Sequence, residues 1–279
     1  MTVRDETSWV LVTNDDGCDS PGLVPLMREL LARSEVSALV PEREYSWSSK
    51  TMSRFGEVEL TPRERESIPF FTANGSPADC ANLGIHKLKP GKPSLLVSGI
   101  NIGANAGLAY LLSSGTIGAA VEGMLSGIPA VAFSLQLRSE DYRDWRTNRN
   151  PGRLGKTFCR AASVAAEIVG EVLAGGLPSE ASILSVNMPP GVTRDSPRRF
   201  AGVTDCRYGS FFQETGKGGY AYGFDKLDSF ANPAVPSGRR GDLKTLADGA
   251  VAMTPLRFDL NVEASSQDRC RFERGATRR

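Results

Sequence analysis

Five short runs of apolar and β-branched residues, Trp9–Thr13, Val36–Val40, Ser94–Ser98, Ile128–Ser134 and Ser182–Met188, most narrow the folds open to this chain. None alternates apolar with polar, which is the pattern of a strand covered on both faces. Helical segments lie between them. "PGLVPLMRELLARSE" sets Leu23, Leu26, Met27, Leu30 and Leu31 on one stripe. "GSPADCANLGIHKL" offers Ser76 as N-cap, Pro77 at the first helical position and Asp79 in the first turn. "TIGAAVEGMLSG" follows, and "LGKTFCRAASVAAEIVGEVLAGG" ends in two glycines suited to a C-cap. This order predicts an α/β chain with a Rossmann-like, doubly wound, mostly parallel sheet. With 40% hydrophobic residues among 279, the core can be large. The alternation fades near residue 195. The predicted organisation is a catalytic core over 1–195 and a hairpin-rich extension over 196–279. That extension is expected to return to the core near 242–260, through a helix at Asp242–Asp248 and a strand at Ala250–Pro255. The arginine-rich last eleven residues read as a solvated tail.

Lys and Arg number 33 against 32 Asp and Glu, so a net charge of +1 gives no global field to draw in a nucleic acid polymer or an anionic membrane. No window approaches the roughly 18 apolar residues of a membrane span, and the first residues lack a secretory layout. A cytoplasmic protein is expected. The five cysteines, at 18, 80, 159, 206 and 270, form no C-x-x-C pair and read as free thiols. Any anion must therefore be bound by a local site.

In open α/β sheets ligands bind beyond the carboxyl ends of the strands. Placed there are Asn14-Asp15-Asp16-Gly17, "VPEREYSWSS", "SGINIGANAG", Ser114-Gly115-Thr116 and Asn74-Gly75-Ser76-Pro77. Asp15 and Asp16 repel each other when desolvated unless a cation neutralises them. With carboxylates, hydroxyls and amides at hand and one histidine in the chain, Mg²⁺, Mn²⁺ or Ca²⁺ is favoured over zinc. An isolated Asp-Asp-Gly is more often an ordinary turn before a helix, and it is the surrounding blocks that shift the reading.

Several blocks together resemble the SurE family of survival-protein nucleotidases and phosphatases: "LVTNDDGCDSPGL", "VPEREYSWSS", "NGSPADCANLG", and "VSGINIGANAG" with "LSSGTIGAAVEG". "SVNMPP" and "DGAVAMTPLRFDL" are similar to weaker family blocks, so the likeness spans roughly 9–260. The resemblance implies a divalent metal, Mg²⁺ or Mn²⁺, held by Asp15, Asp16, the Ser46 hydroxyl and the Asn101 amide oxygen. It implies hydrolysis of nucleoside 5′- and 3′-monophosphates, with polyphosphate a further substrate. Asp15 and Asp16 are the expected catalytic pair, one assisting a metal-bound water. Asn74, Gly75, Ser76, Gly103, Asn105, Ser114, Gly115 and Thr116 are expected around the substrate, and a homodimer or homotetramer is expected.

This chain departs from the family where Leu112 and Ser113 replace a frequent tyrosine before Ser-Gly-Thr, and where Ser76 replaces threonine. His86 reads as a helix-end surface residue. Glu122 reads as a partner behind the site or an inward structural acid. Arg138, Arg143 and Trp145 are weighed as phosphate or base contacts against a plain solvated face. Two other functions compete. A haloacid-dehalogenase-like phosphatase needs an aspartate nucleophile where this chain has Asn14, whose amide forms no aspartyl phosphate. A catalytically weak nucleotide-binding protein is the other, although neither G-x-G-x-x-G after the first strand nor a P-loop motif occurs.

Overall fold

Strand β1 (Trp9–Thr13) is buried at all five positions, because it lies at the middle of a sheet sandwiched between helices. The computed structural model describes residues 9–149, 154–207, 209–216, 218–222 and 240–273. After β1 come α1 (Leu23–Leu31), β2 (Glu35–Pro41), β3 (Leu60–Arg65), β4 (Ile68–Ala73), α2 (Pro77–Lys87) and β5 (Leu95–Ile102). The middle of the chain forms α3 (Leu108–Ser113), α4 (Gly115–Leu125), β6 (Ala130–Leu135), α5 (Ser139–Asn148), α6 (Gly155–Gly175) and β7 (Ile183–Met188). The last third forms β8 (Arg198–Phe200), β9 (Phe212–Glu214), β10 (Tyr220–Tyr222), α7 (Asp242–Ala247), β11 (Val251–Leu256) and α8 (Ser266–Phe272).

Nine strands share one sheet in the order β3-β4-β2-β1-β5-β6-β7-β11-β8. From β4 to β7 every neighbour is parallel. The antiparallel pairings, β3 with β4 and β7 with β11, lie outside that block. The chain is therefore α/β with a mostly parallel sheet, as its pattern predicts. Successive residues of β1 point to opposite faces. Val10 and Val12 pack with Leu26, Met27 and Leu30 of α1 and Phe158 and Val169 of α6. Trp9 and Leu11 pack with Ala81 and Ile85 of α2 and Ile117 and Ala120 of α4. Burying each such large side chain contributes about 1.5–3 kcal/mol. The helix at α2 begins as its sequence predicts: Ser76 Oγ accepts from Asp79 N, Asp79 accepts from Ser76 N, and Pro77 opens the helix.

Some elements escape the pattern. β5 runs on to Ile102 rather than ending at Ser98, through a register shift between Ser98 and Asn101. β3 is exposed or half-exposed along its length and so lacks an apolar run. α5 forms within the charged stretch after β6 and buries only Trp145, so its face is largely solvated. Beyond residue 195, β11 returns and pairs with β7 from Ala252↔Asn187 to Leu256↔Ile183, while β9 and β10 form a separate two-stranded ribbon. The Pro- and Gly-bearing stretch 223–239 lies outside the described residues, as does 274–279 of the expected tail. Residues 269–272 of that tail finish α8 instead of fraying. All five cysteines are free. Among the described residues no helix is long and apolar enough to cross a membrane.

Candidate active site

The carboxyl ends of β1, β2 and β5 meet the N-terminus of α4 at a cavity of about 320 Å³. Asp15, Ser46, Asn101, Gly103, Asn105 and Ser114 line it. Asp15 lies two residues past the end of β1, after Asn14, and is buried. Its Oδ1 accepts a 2.7 Å hydrogen bond from the Thr116 hydroxyl in the first turn of α4. Burial pushes its carboxyl up to about 6, against the lowering effect of that bond. Asp16 accepts from the Ile102 amide at 2.9 Å. Burial first, and the charge of Asp15 second, hold it well above the usual aspartate range.

Burial pushes both acids toward their neutral forms, a penalty that a neighbouring positive charge would relieve, and among the described residues no lysine, arginine or histidine forms an ion pair with either. Arg149, whose charge reaches Asp16, is committed to Glu44 at 2.8 Å. Glu44 in turn accepts the Ser46 hydroxyl at 2.5 Å. Burial raises Glu44, but the bonds from Ser46 and Arg149 outweigh it and leave its carboxyl below the usual range. The Asn101 amide nitrogen donates to the Gly103 carbonyl at 2.8 Å, which leaves its amide oxygen as the end available to a ligand. The donor set of two carboxylates, a hydroxyl and an amide oxygen suits a hard cation. The described residues contain no group of three or more His, Cys, Asp or Glu that could hold a metal ion.

A buried polar chain stands behind Asp15. Asn105 Nδ2 donates to Ser134 Oγ at 2.9 Å and to Thr116 Oγ1 at 3.3 Å, and its backbone amide donates to Asn187 Oδ1 at 2.8 Å. Gly115 makes the approach of α4 possible: a Cβ there would meet Asp15 Cβ and Ser48 Oγ, each at 2.8 Å. Gly99 adopts φ +125, and a Cβ on it would lie 2.3 Å from the Phe133 carbonyl oxygen. Only glycine lets β5 continue past this point to present Asn101 and Ile102. Ser114 caps α4, its Oγ accepting from Ile117 N at 3.1 Å.

Asn74, Gly75 and Ser76 stand apart from the lining. The Asn74 amide oxygen accepts from Glu59 N at 2.9 Å. Ser76 Oγ donates to the Thr51 carbonyl at 2.5 Å while Asp79 receives the Ser53 amide and hydroxyl. These three residues fix the segment after the serine loop. Asn14 braces the turn beyond it, exchanging two side-chain hydrogen bonds with the Gly17 backbone. Arg138, Arg143 and Trp145 do not line the cavity either; Trp145 joins the core. His86 is exposed, 3.3 Å from Ser126 Oγ. Tyr110, Gln136, Tyr142 and Leu243 line it without having been placed there by sequence reasoning, as does Trp47, whose segment "VPEREYSWSS" was placed at this rim with no role given to its ring. Ser113 is also in the wall, and the ring on this side belongs to Tyr110, three residues earlier on α3.

Comparison with known proteins gives one consistent result. A family model described as survival protein SurE matches residues 10–214. The chain belongs to the SurE family. It is 38% identical over 271 residues to a protein of Pelobacter propionicus named 5′-nucleotidase SurE, covering 92% of this chain and 96% of that one. A protein of the same name from Methanoregula boonei is 35% identical over 270 residues, covering 93% and 96%. The crystal structure of the SurE protein from Aquifex aeolicus superposes with a TM-score of 0.69 at 27% identity, covering 91% of this chain and 94% of that one. The SurE match ends within the β9–β10 ribbon, whereas the relatives extend the likeness across the returning strand β11.

Proposed function

We propose that this SurE protein is a divalent-metal-dependent phosphomonoesterase that hydrolyses nucleoside 5′-monophosphates to nucleoside and phosphate. The observation that carries this reading is the adjacent pair of buried Asp15 and partly buried Asp16, both raised in pKa and without a cationic partner among the described residues, with Asp15 in the wall of a cavity it shares with Ser46 and Asn101. The curated relatives' shared name, 5′-nucleotidase SurE, supports the same activity.

Asp15, Asp16, the Ser46 hydroxyl and the Asn101 amide oxygen would hold Mg²⁺ or Mn²⁺. When bound, such an ion supplies Lewis-acid polarisation of phosphoryl oxygens and lowers the pKa of water. Thr116 orients the Asp15 carboxylate, Asn105 donates to Thr116, and Ser134 holds Asn105. Glu44 holds the Ser46 hydroxyl, and Arg146 and Arg149 hold Glu44. The phosphate would lie against Gly103, Asn105 and Ser114, near the positive end of the α4 dipole. Such positioning and charge stabilisation is most of what phosphoryl transfer requires. One of the two aspartates would accept the proton of the attacking water. A grip centred on the phosphate also favours 3′-monophosphates and short polyphosphates as secondary substrates, and a cytoplasmic location would supply them.

The test is phosphate release from AMP with Mn²⁺ or Mg²⁺ present. Chelation is expected to abolish it. Asp15→Asn is expected to lower kcat/KM by roughly 100-fold or more, the scale of removing one charge-stabilising group from a hydrolytic site. Turnover that survives chelation would overturn the proposal.

A further inference from the structure

Trp47 stands directly after Ser46 with φ +60, a left-handed conformation rare for a bulky residue. Glycine adopts it freely. A tryptophan persists there only where its surroundings hold it, and such outliers gather at ligand clamps. Its ring lines the cavity beside Tyr110 while remaining 38% exposed. The other two tryptophans, Trp9 and Trp145, are buried in the core. Trp47 is also the centre of a ring cluster. Tyr110 lies 5.7 Å away at a tilt, and Phe211 lies 5.2 Å away edge-on. Tyr222 reaches it at 6.4 Å and stacks on Phe211 at 5.6 Å. Rings on and beside the β9–β10 ribbon thus pack against the indole.

The rest of the cavity is divided by chemistry. Asp15, Ser46, Asn101 and Ser114 present oxygens, whereas Trp47, Tyr110 and Leu243 present apolar surface. A phosphomonoester bound at the oxygens would extend its remaining part toward those rings. We propose that Trp47, supported by Tyr110, is a specificity-determining residue that stacks on the substrate's base and so selects nucleotides over phosphomonoesters without an aromatic ring. The proposal rests on the phosphomonoesterase reading and adds the substrate's recognition element to it. A planar aromatic base is the class of group an indole face recognises most broadly, because every base offers a π-face.

Two substrates sharing a phosphorylated ribose, AMP and ribose 5-phosphate, isolate the contribution of the base. With Mn²⁺ present, the ratio of kcat/KM for AMP to that for ribose 5-phosphate is expected to fall about tenfold or more in Trp47→Gly, the loss of one base–aromatic stack. In Trp47→Phe it is expected to stay within about threefold of the native ratio, since a ring remains. Trp47→Gly suits the left-handed backbone of the serine loop but also removes the ring on which Phe211 and Tyr222 rest, so Trp47→Phe, which keeps a ring there, is the control for the ribbon. A merely structural role for Trp47 would depress both substrates together and leave the ratio unchanged, which would overturn the proposal. A second readout is independent of turnover: AMP is expected to quench indole fluorescence where ribose 5-phosphate does not, and the effect is expected to vanish in Trp47→Phe. A native protein that turns over both compounds equally overturns the role of Trp47 and leaves the phosphomonoesterase reading intact. One that turns over neither, yet shows AMP-dependent quenching at Trp47, overturns only the catalytic reading. Absence of quenching overturns the stacking role itself.

Discussion

Asp15 carries a cost that its neighbours only partly offset. Thr116 gives its carboxylate one 2.7 Å hydrogen bond, yet burial still holds its pKa up at about 6 from an ordinary 3.8. A raised acid binds its proton more tightly when folded, so its stabilising contribution is complete below 3.8 and is lost as pH rises through about 6. At about 1.4 kcal/mol per pKa unit, that rise corresponds to roughly 3 kcal/mol. Asn at this position accepts the same hydroxyl and carries no charge. In the presence of chelator, Asp15→Asn is therefore expected to melt at progressively higher temperature than the native protein as pH rises from about 4 to about 7, with no difference below about 4. Thermal melts at matched pH values check this, and a gap that does not change with pH would contradict it. The pair was legible in the sequence because two carboxylates at a strand end need a physical reason. The orientation of Trp47 was not, because φ depends on how the whole serine loop is held.

At the scale of elements, α4 is the organiser. It presents Thr116 to Asp15 from its first turn and also carries the serine loop on its flank. A Cβ on Gly118 would lie 2.1 Å from the Ser49 carbonyl oxygen. One turn further on, buried Glu122 takes Lys50 at 2.8 Å and Asn82 at 2.7 Å. The end of α3, just before α4, adds Ser49 N to the Ser113 carbonyl at 3.1 Å and Ser49 Oγ to the Leu112 carbonyl at 2.8 Å. Gly118→Ala is expected to push residues 48–50 outward and carry Ser46 with them. Helix propensity favours alanine by up to about 1 kcal/mol, against about 1–3 kcal/mol for overpacking, and because the atoms met are the backbone of Ser49 and Lys50 the loop must move as a whole, so a net loss of up to about 2 kcal/mol is expected. A displacement of about 1 Å costs catalysis more, up to about 100-fold. Mn²⁺ titration by calorimetry beside a denaturant melt separates the two effects. Equal losses in stability and metal affinity would refute the role of α4. Glu122 shows the limit of sequence reasoning here: "GAAVEGM" reveals an acid on an apolar helix, but not that its partner is a lysine 72 positions earlier. The long parallel strands were legible because burial on both faces forces unbroken apolar runs. The exposed strand β3 and the solvated helix α5 carry no such constraint.

The whole molecule joins its two ends at the site. Buried Asp242, at the start of α7, accepts from Thr204 N and Oγ at 3.1 and 2.6 Å and from Gly107 N at 2.8 Å, and its neighbour Leu243 enters the cavity wall. The extension after residue 195 is thus built into both the sheet edge and the glycine loop, a long-range arrangement that local pattern does not encode. Its β9–β10 ribbon is different. Each strand has three residues, and so short a two-stranded ribbon is not stable alone in water. Phe211 and Tyr222 anchor it on Trp47, but Phe212 remains 61% and Tyr220 71% exposed. Exposed rings gathered on one ribbon are the kind of surface through which chains associate, and a second copy of the chain would bring the same rings to the same contact under two-fold symmetry. We therefore expect a solution mass of two or four chains by light scattering. Phe212→Ser combined with Tyr220→Ser is expected to shift it toward one chain with the melting profile of the core retained. A native protein that stays a single chain at concentrations well above those of an assay would refute this. Because the ribbon also holds Trp47, dissociation is expected to raise the KM for AMP in parallel with the fall in mass.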